Sequence, residues 1–438
     1  MNRSARPQAE GVYCLTDHAV MLVALAAATV VIARNYYYFL ANPRPLWNAL
    51  VHDRNGHYDF AVRMALALRG CQPFKFLSIL VGQSKVWPPV HGLLTALVIA
   101  PGGPDYRLAV IPSLVGWWMT AVFAFLTARR ISVAGGSAAG LIAAALVLAS
   151  PAYRDYSTDI MLESLGAGLT MMAVYMYAVA VQEASVRAWR NLAIVLTVLF
   201  FEKYNYWMLT AIALGAAEIL RHPRHCLKTA RSVPGRINRQ VLDAEMSHPL
   251  NLIVIAMLLL MAAFWIRGPQ SLKLGPYRIS VYPPRDLLTA AYAALMLRVA
   301  RSAPAGGWRK LFSPSRVKSP RSELVLWHVL PIAASFLLPA RLWMFLWYVG
   351  PLNHAAEVPV RGMRWATAYY AGAAAYEYHP AAWIAWVVAG ALILALAGWR
   401  NWRPGGIAVV LLAIIGIAAV VLHPNQQSRF MFSWFAAV

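Results

Sequence analysis

Long apolar runs separated by short charged links dominate this chain. The first run, residues 19–39, ends in Tyr36, Tyr37 and Tyr38, aromatic side chains suited to a headgroup interface. A more polar stretch at 40–106 follows. Inside it Tyr58, Ala61, Ala65 and Leu68 recur at helical spacing beside Asp59 and Arg63. That spacing predicts an amphipathic juxtamembrane helix lying on the membrane. PFKFLSIL and PPVHGLLTALVIA are short for spans and read as interfacial or re-entrant pieces, although the second could cross. Further runs at 107–128, 134–150, 164–182, 191–201, 206–220, 249–266, 286–299, 324–340, 381–398 and 406–422 bring the expected total to about eleven spans.

The runs are continuous and show no dyad alternation, so helices rather than a barrel are expected to satisfy the backbone inside hydrocarbon. Composition agrees. The 438 residues are 60% hydrophobic and only 13% charged, against roughly 25% charged in soluble domains. The expected fold is therefore an all-α polytopic membrane protein. It is read as a single transmembrane domain over 1–438, with an outer loop at 40–106 and no soluble C-terminal domain.

A formal net charge of +22 raises nucleic acid as a partner, but the basic residues are scattered between spans and form no single face. With the N-terminus inside, the inner tail and links carry about half of the 39 Lys and Arg and about a third of the 17 acids, a moderate positive-inside bias. The outer side then keeps most carboxylates together with many basic residues, which argues for an anionic ligand there. Cys14, Cys71 and Cys226 lie too far apart for a zinc site or a disulfide framework. Neither a phosphate-binding Walker loop nor a dinucleotide fingerprint is present.

Two acidic clusters return to the outer side. Asp53 and Asp59 follow the first span, and Asp155, Asp159 and Glu163 follow the third. Charges beside a bilayer are costly and mark a functional site by default. Asp53 and Glu163 are expected to face one another across an active site at the outer membrane surface.

The order of these features resembles the GT-C superfamily of polyprenyl-phosphate-sugar-dependent glycosyltransferases, in its protein-mannosyltransferase and aminoarabinose-transferase-like branch (glycosyltransferase family 39 type). Asp53-Arg54 stands where that family has an acidic pair, and Ala61-Val62-Arg63 follows. Lys85 precedes Trp87-Pro88-Pro89, at the family's Lys-Pro-Pro element. Arg107-Leu108 with Pro112-Ser113 opens the next span, Ser150-Pro151 ends the third, and Met161-Leu162-Glu163 holds the second-loop acid. Lys203-Tyr204 matches a Lys-Tyr between two short spans, and Gln427-Ser428-Arg429-Phe430 resembles an Arg-Tyr before the last membrane segment. The likeness covers most of 19–210 and returns at 423–430.

The resemblance implies a GT-C-like helical bundle in a bacterial inner (plasma) membrane, with its site facing the periplasm or exterior. It implies inverting transfer of a sugar from a polyprenyl-phosphate donor to a hydroxyl on a glycan, lipid or protein of the envelope. Such a transfer needs a carboxylate to take the acceptor proton and cations for the departing phosphate. Asp53 and Glu163 are the candidate catalytic residues. Lys85, Lys203, Arg429, Arg63, Tyr58 and Asp159 are candidates for substrate binding.

Each has a plainer reading. Asp53 could cap a helix, and Asp59 with Arg63 has the spacing of a solvated i,i+4 pair. Asp155 suits a pair with Arg154, Asp159 could be an N-cap, and Lys203 could pair with Glu202. Arg429 could anchor the interface. His354, Glu357 and His379 match no metal spacing; a divalent metal is compatible with the chemistry, but no cofactor is required by the sequence. A transporter or flippase for a lipid-linked or anionic solute is the competing function.

Overall fold

The computed structural model describes residues 10–42, 52–83, 88–133, 135–223, 248–267, 271–274, 277–280, 285–302, 319–338, 341–342, 344–345, 362–397, 403–423 and 427–436. Lys85, His354 and Glu357 lie outside them, as does most of the basic loop at 221–247.

In chain order the helices are α1 (Glu10–Ala41), α2 (His52–Arg69), α3 (Pro73–Gln83), α4 (Pro89–Gly102), α5 (Tyr106–Ala109) and α6 (Ile111–Ile131). They continue with α7 (Gly136–Ala149), α8 (Pro151–Ser157), α9 (Leu162–Glu183), α10 (Val186–Glu202) and α11 (Tyr204–Arg221). Next come α12 (Pro249–Arg267), the antiparallel hairpin β1 (Ser271–Leu274) and β2 (Tyr277–Ser280), α13 (Arg285–Ser302) and α14 (Pro320–Leu324). The chain ends with α15 (Met363–Ala373), α16 (Ala382–Ala397), α17 (Gly406–Leu422), a tight turn at Ser428–Met431 and α18 (Phe432–Phe435). Two compact units result, one of 1–217 with 354–438 and one of 218–353. The candidate site lies wholly in the first.

Among the described residues three helices are long and apolar enough to cross a membrane: His18–Ala41, Tyr106–Ile131 and Leu162–Glu183. Gly136–Ala149 and Pro151–Ser157 make a fourth if a 61° bend is counted within one span. The expected count of about eleven is therefore not confirmed among the described residues. Several apolar helices have only 10–17 described residues where roughly 20 are needed, and two of these runs, Gly136–Ala149 and Gly406–Leu422, stop at the extended Ser150 and His423. Ser150 shows the cause, because the following proline disfavours helical geometry at the residue before it. Ser150 takes φ −68° and ψ 121°, and Pro151 restarts the chain as the first residue of α8. Proline likewise opens α3 and α4, where its missing N–H costs nothing.

The stretch at 52–102 packs one face of each of its helices α2 and α4 into the unit. Phe60, Ala61, Met64 and Ala65 of α2 are buried at helical spacing, and Phe60 meets Gly92 of α4. His91, Thr95, Ala96 and Ile99 are fully buried too, so one face of α4 packs inside the unit while Leu94 and Leu97 on the other are exposed.

The helices α6 and α9 cross closely. A Cβ added at Gly116 would lie 2.3 Å from the Leu165 backbone nitrogen, and one at Gly168 would lie 2.7 Å from the Gly116 carbonyl oxygen. Small residues permit this approach. Gly116→Ala is therefore expected to destabilise the protein by about 2 kcal/mol or more, because backbone must move. Gly215→Ala, with open space around its Cβ, is expected to be neutral or stabilising by about 1 kcal/mol. Thermal unfolding of the two purified variants compares them directly.

Candidate functional site

Four segments meet at one place, and each brings its charge at a helix end. Asp53 lies in the first turn of α2, so it is not a residue ahead of the helix. Glu163 lies in the first turn of α9, which Met161 opens in extended geometry. Lys203 is the single extended residue between α10 and α11 (φ −157°, ψ 110°). Arg429 sits in the tight turn after α17, following the extended Gln427.

Their side chains converge on Arg429. Its Nη2 donates to Asp53 Oδ2 at 3.1 Å, and its Nη1 is 3.7 Å from Glu163 Oε1. Lys203 Nζ donates to the same Glu163 oxygen at 2.8 Å. Lys203 therefore pairs with Glu163 and not with its neighbour Glu202. Its ammonium also lies 4.5 Å from the centroid of the Tyr206 ring, a cation–π contact. Tyr206 Oη in turn donates to the Arg429 carbonyl at 3.3 Å, and Gln427 Oε1 accepts from Arg429 Nε.

The two carboxylates are not equivalent. The Asp53 side chain is 32% exposed, whereas that of Glu163 is 2% exposed. Glu163 Oε2 is buried and makes no hydrogen bond among the described residues. Its charge is held by Lys203, Arg429 and the positive end of α9. The helices α2 and α11 also start at this cluster, so three helix N-termini gather beside it, an arrangement favourable to an anion.

Asp159 goes elsewhere. Its carboxylate takes a two-point ion pair from Arg54, the residue that replaces the second acid of the resembled motif, and one oxygen also accepts from the Ile160 amide at 2.7 Å. Both side chains of that pair are largely buried, and the bond ties the start of α2 to the loop that leads into α9 and Glu163. Asp155 pairs with Arg154 at 3.3 Å. Arg63 pairs with Asp59 at 3.0 Å on the exposed face of α2. Tyr58 is half-buried on that helix, packed against the core.

A second polar layer lies behind the charges. The rings of His57 and His91 are 6.2 Å apart. His91 Nε2 is 3.4 Å from Ser113 Oγ, which donates to the Asp159 carbonyl at 2.7 Å. Glu202 is fully buried, and neither carboxylate oxygen finds a donor at bonding geometry among the described residues; the His91 backbone amide only approaches it. Burying such a group ionised would be costly. This layer was not singled out from sequence, although the i,i+4 spacing of Asp53 and His57 places both on one helix face. Among the described residues no group of three or more potential ligands is arranged to hold a metal ion.

Burial pushes the His57 imidazole down to about 4, with Lys203 and Arg429 acting in the same sense and Glu163 against it. Between about 4 and the ordinary 6.5 the unfolded chain binds the proton and the folded one does not. The contribution to stability is therefore complete above 6.5 and is lost as pH falls towards about 4. Thermal unfolding from pH 7 to pH 4.5 is expected to show this loss, on the order of 3 kcal/mol at most. His57→Gln is expected to flatten that part of the profile.

No family model and no curated protein matches this chain. Among solved structures it is similar to the Archaeoglobus fulgidus oligosaccharyltransferase in its apo form, at 12% identity and a TM-score of 0.44. The match covers 95% of this chain and 49% of that one, so the chain spans about half the length of that structure.

Proposed function

We propose that this chain is an integral-membrane glycosyltransferase of the GT-C kind, moving a sugar from a polyprenyl-phosphate donor to a hydroxyl of an envelope glycan, lipid or protein. The observation that carries the reading is the Arg429 guanidinium held between Asp53 and Glu163, with Lys203 on the far side of Glu163.

In the proposed step the acceptor hydroxyl attacks the anomeric carbon as the bond from that carbon to the phosphate oxygen breaks. The hydroxyl proton passes to Asp53, the more open carboxylate. The electron pair of the broken bond leaves on the polyprenyl phosphate, whose growing charge meets Lys203, Arg429 and the helix N-termini. Glu163 is buried and acts through the cations, setting Lys203 and Arg429 in place. A phosphate entering the cluster competes with Asp53 for Arg429 and leaves Asp53 free to accept a proton. Direct displacement of this kind inverts the anomeric centre. The reading places the site at the outer face of a bacterial inner membrane.

The charges sit at helix ends. A transport site is instead expected on interrupted helices near the bilayer midplane.

Mass spectrometry of lipid copurified with the protein, followed by a transfer assay in nanodiscs, tests the proposal. A polyprenyl phosphate or its sugar ester, with transfer to a hydroxyl acceptor, is the expected result. Ion- or voltage-driven solute uptake into proteoliposomes without sugar transfer would replace it with the transporter reading.

A further inference from the structure

A cavity of about 600 Å³ opens between the end of α1 and the α7–α8 bend. Its two long walls change character in the same direction. On α1, Val31 is followed by Arg34, Asn35 and Tyr38; on the facing wall, Leu148 before the bend is followed by Arg154 and Thr158 after it. Trp117 contributes an apolar floor. Each wall thus carries an aliphatic residue ahead of its arginine, and Phe39 and Asn42 follow on α1.

The two guanidiniums face little negative charge. The lining includes no carboxylate. Arg154 has Asp155 at 3.3 Å, but both side chains are roughly half exposed, at 55% and 42%, and such a pair is weak. Arg34 makes no ion pair among the described residues. It lies within the candidate span His18–Ala41, about two turns from its end, beside the tyrosines expected at headgroup level. An anion is favoured there, and the apolar lower walls favour a hydrocarbon chain attached to it.

We propose that this cavity binds an anionic phospholipid. The phosphate lies between Arg34 and Arg154, and an acyl chain runs down past Val31 and Leu148. This lipid is distinct from the sugar donor. It would sit where α1 is joined to the second acidic loop: Asn35 Nδ2 donates to Ser157 Oγ at 3.1 Å and approaches the Arg154 carbonyl at 3.5 Å. Thr158, in the cavity wall, is the residue before Asp159. A bound lipid would therefore brace α1 against the loop that leads to Glu163. The inference needs only a membrane-embedded chain and stands whether or not the transferase reading holds.

Native mass spectrometry of the full chain in detergent, titrated with phosphatidylglycerol, phosphatidylcholine or inorganic phosphate, tests it. Phosphatidylglycerol is expected to bind more tightly than phosphatidylcholine, and the Arg34→Gln/Arg154→Gln double variant to lose at least tenfold in that affinity. Arg34→Gln alone, at an exposed position of α1, is expected to keep the fold and to show part of the loss. Lys75→Gln, at an exposed position of α3 outside the cavity lining, is expected to leave phosphatidylglycerol binding unchanged. Equal affinity for the two lipids, or a loss that follows Lys75→Gln as much as the arginine substitutions, overturns the proposal. So does inorganic phosphate displacing the lipid at comparable concentration, which would make this a free-anion site.

Discussion

Asp53→Asn is expected to lower sugar transfer by about 10³-fold, the range of a single general base, while thermal unfolding stays close to that of the parent. The two halves of this expectation rest on different observations. Asp53 is about a third exposed, and Arg429 is its one ion-pair partner among the described residues. An asparagine keeps the oxygen that accepts from Arg429, and an ion pair this accessible to solvent contributes only about 1 kcal/mol or less. What asparagine cannot do is hold the acceptor proton. The loss should fall on turnover with donor affinity little changed, since the groups proposed to meet phosphate remain. Transfer kinetics measured with saturating donor, beside a melting curve, separate the effects. Near-parental turnover removes Asp53 from the role of base.

How far the site could be read in advance depends on where each residue stands in its helix. Asp53, Glu163, Lys203 and Arg429 were visible because charges at the ends of apolar runs stand out, and their order resembles a known family. Their convergence on Arg429 was not visible, because it depends on contacts across as many as 376 positions of sequence separation.

The Lys203–Glu202 pair, the plainer reading that adjacency offered for Lys203, does not form for a geometrical reason. Glu202 ends α10 and Lys203 is extended, so the two neighbouring side chains leave the backbone in different directions. Arg54 was recognised only as a departure from an acidic motif; its partner, Asp159, lies 105 positions away. The expected count of about eleven spans is not confirmed among the described residues, for a related reason. Hydropathy records apolar length but not the extended residues, such as Ser150 before Pro151, that divide a run into shorter helices.

Lys203→Met is expected to destabilise the protein by about 3–5 kcal/mol, because it removes one partner of a buried ion pair and leaves the other charged. Glu163 is 2% exposed and Lys203 15% exposed, so water can replace little of what is lost. Glu163 Oε2 already makes no hydrogen bond among the described residues, and Arg429, at 3.7 Å from Oε1, is too distant to take over the short contact from Lys203. Adding Glu163→Gln to Lys203→Met removes the stranded charge at nearly constant volume. The double variant is expected to recover most of the stability, as replaced buried pairs commonly do. A double-mutant cycle on unfolding midpoints gives the coupling between the two positions. Transfer should not recover with stability, because the ammonium proposed to meet the departing phosphate is absent from both variants. If stability and transfer returned together, Lys203 would be a structural partner of Glu163 with no part in the reaction.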